Sequence, residues 1–133
     1  MIAQNHRFHG RGSLRTVYTK GKTVRLPAIG LRYMQNDRRR TFRVAVVIGK
    51  AISKSAVVRN RIRRRIYEIV RRSAPAINRP HDLVFTIYKP GIEKLPPIEL
   101  NSIVTQLLLQ ANITDETASN RAETHAIIDT KET

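Results

Sequence analysis

Residues 55–73, SAVVRNRIRRRIYEIVRRS, contain seven arginines and a single acidic residue, Glu68. A guanidinium group can bind two phosphate oxygens at once, and its planar face can stack on a nucleobase. Asn60, at the centre of an Arg-Asn-Arg triplet, adds a neutral donor and acceptor suited to base edges or sugar hydroxyls. The chemistry that this segment indicates is therefore the binding of a nucleic acid.

A helix must position these arginines, because apolar residues recur through the segment at helical spacing. The apolar stripe consists of Val58, Ile62, Ile66, Ile69 and Val70. At about 100° per residue, the arginines fall into three groups: Arg59 and Arg63 on one side of the stripe, Arg61, Arg65 and Arg72 on the other, and Arg64 and Arg71 opposite it. Glu68 follows Arg64 by four residues, so we expect it to offset part of the repulsion between like charges.

The whole chain is strongly basic, with 25 Lys and Arg against 10 Asp and Glu and a net charge of +15. Residues 1–111 carry +18, from 23 basic and 5 acidic residues, whereas residues 112–133 carry −3. So large a charge on one compact domain indicates a polyanionic partner. The N-terminus lacks the apolar core of a secretory signal and no apolar run reaches the roughly 20 residues of a membrane span. We therefore expect a cytoplasmic protein.

Residues that could catalyse a reaction or bind a metal are few and scattered. The acids before residue 112 are Asp37, Glu68, Asp82, Glu93 and Glu99, and they fall in five different elements or loops. Phosphodiester hydrolysis by two metal ions needs several carboxylates at one point. The four histidines, His6, His9, His81 and His125, show no metal-ligand spacing, and the chain has no cysteine. We expect no catalytic residue and no metal ligand in this protein.

Two helices and three extended segments complete the predicted order. A short helix is expected over residues 13–20 with Ser13 as N-cap, and a last helix from Pro97 to Ala111. Its stripe is Leu100, Ile103, Val104, Leu107, Leu108 and Ala111. Extended segments cover residues 24–34, 42–49 and 82–89, of which the first places Leu31 and Tyr33 on one face and Arg32 and Met34 on the other.

The predicted order of elements indicates an α+β domain over residues 1–111, with helices packed against a small sheet. Pro27 restricts the beginning of the first extended segment to a sheet edge or an irregular stretch. Residues 112–133 are polar and lack a sustained apolar stripe, so we expect an acidic, disordered tail.

Three segments in order, RVAVVIGK, SAVVRNRIRRRIYE and DLVFTIYKP, resemble the protein component of bacterial ribonuclease P. The resemblance extends over about residues 6–110 and depends most on the basic helix, through Ala56, Val57, Arg59, Asn60, Arg61, Arg63 and Arg64. It implies a mixed sheet of about four strands, the order αβββαβα and a left-handed crossover between strands 42–49 and 82–89. We also expect a protein that is monomeric without RNA.

The resemblance further implies a non-catalytic subunit of an endoribonuclease that removes the 5′ leader of precursor tRNA. The partner, a catalytic RNA, performs the hydrolysis with bound magnesium. Residues implied to bind this RNA subunit are Arg59, Asn60, Arg61, Arg63, Arg64 and Arg65. Residues implied to line a leader-binding cleft between the first helix, the sheet and the arginine helix are Leu14, Tyr18, Tyr33, Gly49, Lys50, Arg63 and Tyr67.

Three positions depart from the family pattern. Leu14 replaces the first of two aromatic residues on the first helix, Lys50 is the one cation kept after the central strand, and Tyr67 replaces a basic residue. Tyr18 and Tyr33 suit stacking on unpaired bases, but either ring could instead pack in the core. A structural RNA-binding protein of the ribosomal type is the alternative function, and an autonomous nuclease is a third.

Overall fold

A computed structural model describes residues 6–8 and 11–114 of the chain. The principal elements are α1 (Arg11–Lys20), β1 (Lys22–Arg25), β2 (Ile29–Gln35), β3 (Arg43–Ile48), α2 (Ala56–Ser73), β4 (His81–Ile87) and α3 (Pro97–Gln110). Short 3-10 turns cover Ala74–Ala76 and Ile92–Lys94. The observed order is the αβββαβα order that the resemblance implies.

The four strands form one mixed sheet in the order β1-β2-β4-β3. β4 pairs antiparallel with β2 and parallel with β3, so α2 is the crossover between two parallel neighbours. The extended segment predicted over residues 24–34 is in fact two strands, β1 and β2, that pair as a hairpin. Pro27 lies in the connection between them, where its missing N–H removes no ladder hydrogen bond.

The main core lies between one face of the sheet and the pair of helices α2 and α3. Alternate residues of β2, β3 and β4 face it, as the two-residue period of a strand requires. The helices contribute Ile62, Ile66, Ile69 and Val70 from α2, and Leu100, Val104, Leu107 and Leu108 from α3. The apolar stripe predicted for each helix is therefore the buried one, with only Val58 and Ile103 half-exposed.

α1 packs on the opposite face of the sheet, over β2 and β4. Val17 of α1 is fully buried there. Arg32 of β2 holds the end of this helix, because its Nε donates to the Val17 carbonyl at 3.1 Å and its Nη2 donates to that of Tyr18. The helix begins at Arg11 rather than at Ser13, so the prediction of Ser13 as N-cap is wrong.

A buried ion pair fixes the start of β3 against the start of β4. Arg43 donates to both carboxylate oxygens of Asp82, each at 2.8 Å, and Asn36 Nδ2 donates to the same carboxylate at 3.0 Å. Asp82 is almost fully buried, so its charge depends on these partners. Phe8 lies under the Arg43 guanidinium, with 4.7 Å between its ring centroid and the guanidinium carbon.

The folded region extends past the predicted boundary at Ala111. Ile113 is fully buried in the main core, and Thr114 forms a β-bridge with Ile77. Asn112 makes the turn between α3 and these two residues with a positive φ of 57°. The rest of the predicted acidic tail, residues 115–133, lies outside the described residues.

Candidate RNA interface

The N-terminus of α2 is fixed by Ser55, whose Oγ accepts a hydrogen bond from the Val58 N–H at 3.3 Å. From that cap, the buried stripe sets the rotation of the helix about its axis. Asn60, Arg61, Arg64, Arg71 and Arg72 are exposed, whereas the side chains predicted to flank the stripe at Arg59, Arg63 and Arg65 are half-buried.

An open groove of about 520 Å³ runs between α2 and α3, and we call it the α2–α3 groove. Its lining consists of Arg61, Arg64, Arg65, Glu68, Ile69, Arg72, Pro97 and Leu100. Four guanidinium groups thus stand beside an apolar floor, with one carboxylate among them. Such a surface suits the phosphate–sugar backbone of RNA, since the guanidinium groups bind phosphates while the floor contacts the ribose.

Glu68 pairs with Arg71 rather than with Arg64, the partner expected from the four-residue spacing. Arg71 Nε donates to Glu68 Oε2 at 3.0 Å, and Nη2 donates to Oε1. These hydrogen bonds are the main reason that the pKa of Glu68 is lower than its ordinary value. Arg64 forms no ion pair with this carboxylate, so its charge faces the groove unneutralised by Glu68.

Arg65 has an internal role that its position in the sequence does not reveal. Its Nη1 donates to the Ile92 carbonyl at 2.8 Å, and its Nη2 donates to the carbonyl of Leu95. The guanidinium group thereby holds the loop between β4 and α3 against α2. We had expected Arg65 to bind the RNA subunit, but these donors are engaged within the protein.

Arg63 and Tyr67 lie on the other side of α2, at the edge of β3. Arg63 Nε donates to the Val46 carbonyl at 3.4 Å, and the Tyr67 ring packs against the main core. Burial raises the pKa of the Tyr67 hydroxyl, although Arg63, Arg7 and a backbone hydrogen bond with Val46 act in the opposite direction. Arg7 reaches this place because its backbone bridges to β3 at Val44.

The two tyrosines predicted for the leader cleft lie on opposite faces of the sheet. Tyr18, on α1, is 45% exposed, and Leu14 lies one helical turn before it. Tyr33 is half-buried and packs against the main core on the side of α2 and α3. The prediction that Tyr33 shares a cleft with Tyr18 is wrong, because Arg32, not Tyr33, points towards α1. The alternation of Leu31 with Arg32 in the sequence already contained this signal.

Gly49 and Lys50 are exposed at the end of β3, where the turn to α2 begins. The Gly49 carbonyl accepts from the Ile52 N–H at 3.0 Å, which closes this turn. Apart from Tyr33, the predicted cleft residues lie on three parts of the fold: Leu14 and Tyr18 on α1, Gly49 and Lys50 after β3, and Arg63 and Tyr67 on α2. Reasoning from sequence missed Arg7, which lies near Tyr67, and Arg72, which joins Arg61 and Arg64 in the α2–α3 groove.

Within residues 6–8 and 11–114, no three His, Asp or Glu side chains are close enough to hold a metal ion together. Nor does any helix in the described part of the chain have the length and apolar character needed to cross a membrane.

Comparison with known proteins identifies the family. The sequence model of the ribonuclease P family matches residues 2–112. The chain is 37% identical over 114 residues to the ribonuclease P protein component of Chloroflexus aurantiacus, with 83% of each chain covered. It is 32% identical over 115 residues to that of Microcystis aeruginosa, covering 84% of this chain and 95% of the relative.

Solved structures show the same fold. The Staphylococcus aureus RNase P protein superposes with a TM-score of 0.73 at 20% identity, over 83% of this chain and 98% of that one. The Thermotoga maritima RNase P protein gives 0.69 at 21% identity, over 77% and 94%. On the sequence matches together with this fold, the chain belongs to the ribonuclease P protein family.

Proposed function

We propose that this chain is the protein component of a ribonuclease P in which a catalytic RNA removes the 5′ leader of precursor tRNA. The observation that carries the proposal is the α2–α3 groove, where Arg61, Arg64 and Arg72 present guanidinium groups to solvent beside an apolar floor. A groove of this kind binds an RNA backbone but holds no set of carboxylates for metal-ion catalysis.

The RNA subunit docks on α2 in this proposal. Arg61 and Arg64 bind its phosphates, Arg72 extends the contact along the groove, and Arg59 and Asn60 contribute at the exposed N-terminal turns. Arg65 is left out of this set, because its guanidinium group holds the loop at Ile92 and Leu95.

The leader of precursor tRNA binds across the remaining groups. Tyr18 offers an exposed ring for stacking on an unpaired base, with Leu14 one turn away. Lys50 and Arg63 supply positive charge for the leader phosphates, and the Tyr67 hydroxyl supplies a hydrogen bond. Tyr33 takes no part in leader binding.

Hydrolysis belongs to the RNA in this proposal, and the magnesium ions that support it are bound by RNA phosphates. The protein lowers the magnesium requirement, because its arginines screen phosphates that would otherwise repel one another. It also raises the affinity for substrates that carry a leader.

Reconstitution tests the proposal. The protein alone, its RNA subunit alone and the two together are each incubated with precursor tRNA over a range of magnesium concentrations. We expect cleavage at low magnesium only with both components, and none by the protein alone at any magnesium concentration. Magnesium-dependent cleavage by protein shown to be free of RNA would overturn the division of roles.

A further inference from the structure

An exposed aromatic–arginine pair lies outside the sites described above, at the end of the sheet where β1 ends. Tyr88, directly after β4, is 37% exposed. The guanidinium carbon of Arg25, the last residue of β1, lies 3.8 Å from the centroid of the Tyr88 ring. Arg25 is itself exposed, so the planar group and the ring together form a surface that solvent can reach.

Gly30 allows this pair to form. A Cβ atom at Gly30 would lie 2.8 Å from Tyr88 Cε2 and 2.9 Å from its hydroxyl oxygen, closer than any side chain permits. Gly30 is also the direct partner of Arg25 in the β1–β2 pairing. The Tyr88 N–H donates to the Ala28 carbonyl at 2.8 Å, so the backbone of Tyr88 is fixed as well. The Tyr88 ring is therefore positioned against Gly30, with the Arg25 guanidinium group over it, before any ligand arrives.

The Arg25–Tyr88 pair lies next to Gly49 and Lys50, the residues at the end of β3 that were predicted to bind the leader. Ile87 pairs with Ile48 across β4 and β3, so the residues that follow them, Tyr88 and Gly49, leave the sheet side by side. Lys50 and Lys89 are both exposed at this end. Segments 22–30, 47–54 and 84–91, which meet here, contain no acidic residue. Positive charge thus surrounds a planar stacking surface, which is the combination that binds single-stranded nucleic acid.

We propose that Arg25 and Tyr88 form a stacking site for one unpaired nucleotide of the leader, beyond the part held near Lys50. This inference rests on the proposed function, since the leader is the unpaired RNA that this end of the sheet would receive. The Tyr88 ring lies against Gly30 of β2, which is two strand spacings or about 10 Å from β3. The nucleotide stacked there is therefore a different one from that at Lys50. Lys89 and Lys50 neutralise the phosphates between them.

The experiment uses the holoenzyme and precursor tRNAs whose leaders carry 2-aminopurine at successive positions, because stacking quenches its fluorescence. Binding affinity is measured in parallel for full-length leaders, stepwise shortened leaders and mature tRNA. Tyr88→Ala removes the ring, and Arg25→Lys keeps the charge but removes the planar group. Tyr88→Phe retains the ring, and Arg79→Ala is the control that removes an exposed charge at the opposite end of β4.

With the wild-type protein, we expect the fluorescence of 2-aminopurine to be quenched at one leader position. With Tyr88→Ala or Arg25→Lys, the fluorescence at that position should not be quenched. Tyr88→Ala should also weaken binding of long leaders by about five-fold or more, the low end for a base stacked on an aromatic ring. Short leaders and mature tRNA should bind unchanged, and Tyr88→Phe and Arg79→Ala should behave as wild type. Thermal melting checks that each variant is folded, and Arg25→Lys tests the site even if Tyr88→Ala unfolds.

Three results would overturn the stacking site. One is full quenching with both Tyr88→Ala and Arg25→Lys. Another is an equal loss for long, short and absent leaders, and the third is a loss of RNA-subunit docking instead, which would assign the pair to that RNA. If the wild-type holoenzyme showed no preference for leader-bearing tRNA, the proposed function itself would fail, and this outcome is distinct from the other three.

Discussion

Two groups of arginines differ in their partners, although the composition does not distinguish them. The internal group forms hydrogen bonds or an ion pair within the protein, and the other group faces the α2–α3 groove. Arg32, Arg43 and Arg65 donate to backbone carbonyls or to a buried carboxylate. Arg61 and Arg64 are exposed. The count of 23 basic residues in the first 111 therefore overstates how many of their side chains are free to contact RNA. The two groups should respond to substitution in opposite ways, one through stability and the other through affinity.

The largest effect is expected at the buried ion pair. Arg43→Ala leaves the carboxylate of Asp82 buried without its bidentate partner, and breaking such a pair costs about 3–5 kcal/mol. Urea unfolding measures the loss, and Arg64→Ala is the matched control with an exposed guanidinium group. Surface substitutions usually change the free energy of unfolding by no more than about 0.5 kcal/mol. A change that small for Arg43→Ala would contradict a structural role for Arg43.

Arg64 and Arg65 give the sharpest comparison, since they are adjacent in sequence. Arg65→Ala removes charge-assisted hydrogen bonds to two loop carbonyls, so we expect a loss of about 1.5–3 kcal/mol in stability. Arg64→Ala should leave stability unchanged but weaken docking of the RNA subunit. It should also lower the slope of log affinity against log salt by up to about one unit. Urea unfolding and salt titration of RNA binding are measured for both variants. Equal changes in stability and in affinity for the two variants would contradict the different roles of Arg64 and Arg65.

Tyr18 and Tyr33 extend the same comparison to aromatic residues. Tyr18→Ala should weaken binding of leader-bearing precursor tRNA by about 1–3 kcal/mol, the contribution of one stacked base. Mature tRNA binding should not change. Tyr33→Ala should instead lower the melting temperature while the difference between leader-bearing and mature tRNA stays as in wild type. The reverse pattern would mean that the leader runs over the face of the sheet that carries α2 and α3.

The smallest effect is expected at the exposed pair of Glu68 and Arg71. Because the pKa of Glu68 is lowered in the folded protein, the pair stabilises the fold above the ordinary pKa of 4.5 and loses that effect as pH falls through the lowered value. Glu68→Gln should therefore be slightly less stable at neutral pH and equal to wild type in acid. Docking of RNA should strengthen slightly, since a carboxylate leaves the α2–α3 groove. Stability is measured as a function of pH for wild type and Glu68→Gln. A difference in stability that persists below the lowered pKa of Glu68 would contradict the pairing of Glu68 with Arg71.

The main core was predictable because helical and strand periods alone determine which residues are buried. Ile62, Ile66 and Leu107, for example, follow directly from spacing. The role of Arg65 was not predictable in this way, since its acceptors lie 27 and 30 residues further along the chain. Where distant segments meet depends on packing that a local pattern does not contain.

The error at Tyr33 has a different origin. In a strand, a shift of one residue exchanges the two faces of the sheet, and the resemblance assigned Tyr33 by its position in the sequence without regard to the face on which it lies. Leu31 already fixed which face was apolar, so Arg32 had to point towards α1. Ile113 was missed because one buried residue after a helix makes no periodic pattern.

The position of β4 between β2 and β3 also governs when the chain can fold. β2 and β3 do not pair with each other, so the β1–β2 hairpin and β3 are joined into one sheet only after residues 81–87 have left the ribosome. The Arg43–Asp82 contact, which fixes that strand, spans 39 residues. Contacts of such sequence separation slow folding relative to local ones. A nascent chain that ends after α2 therefore exposes unpaired strand edges beside a row of arginines, and pausing there would favour aggregation or capture by any nearby polyanion.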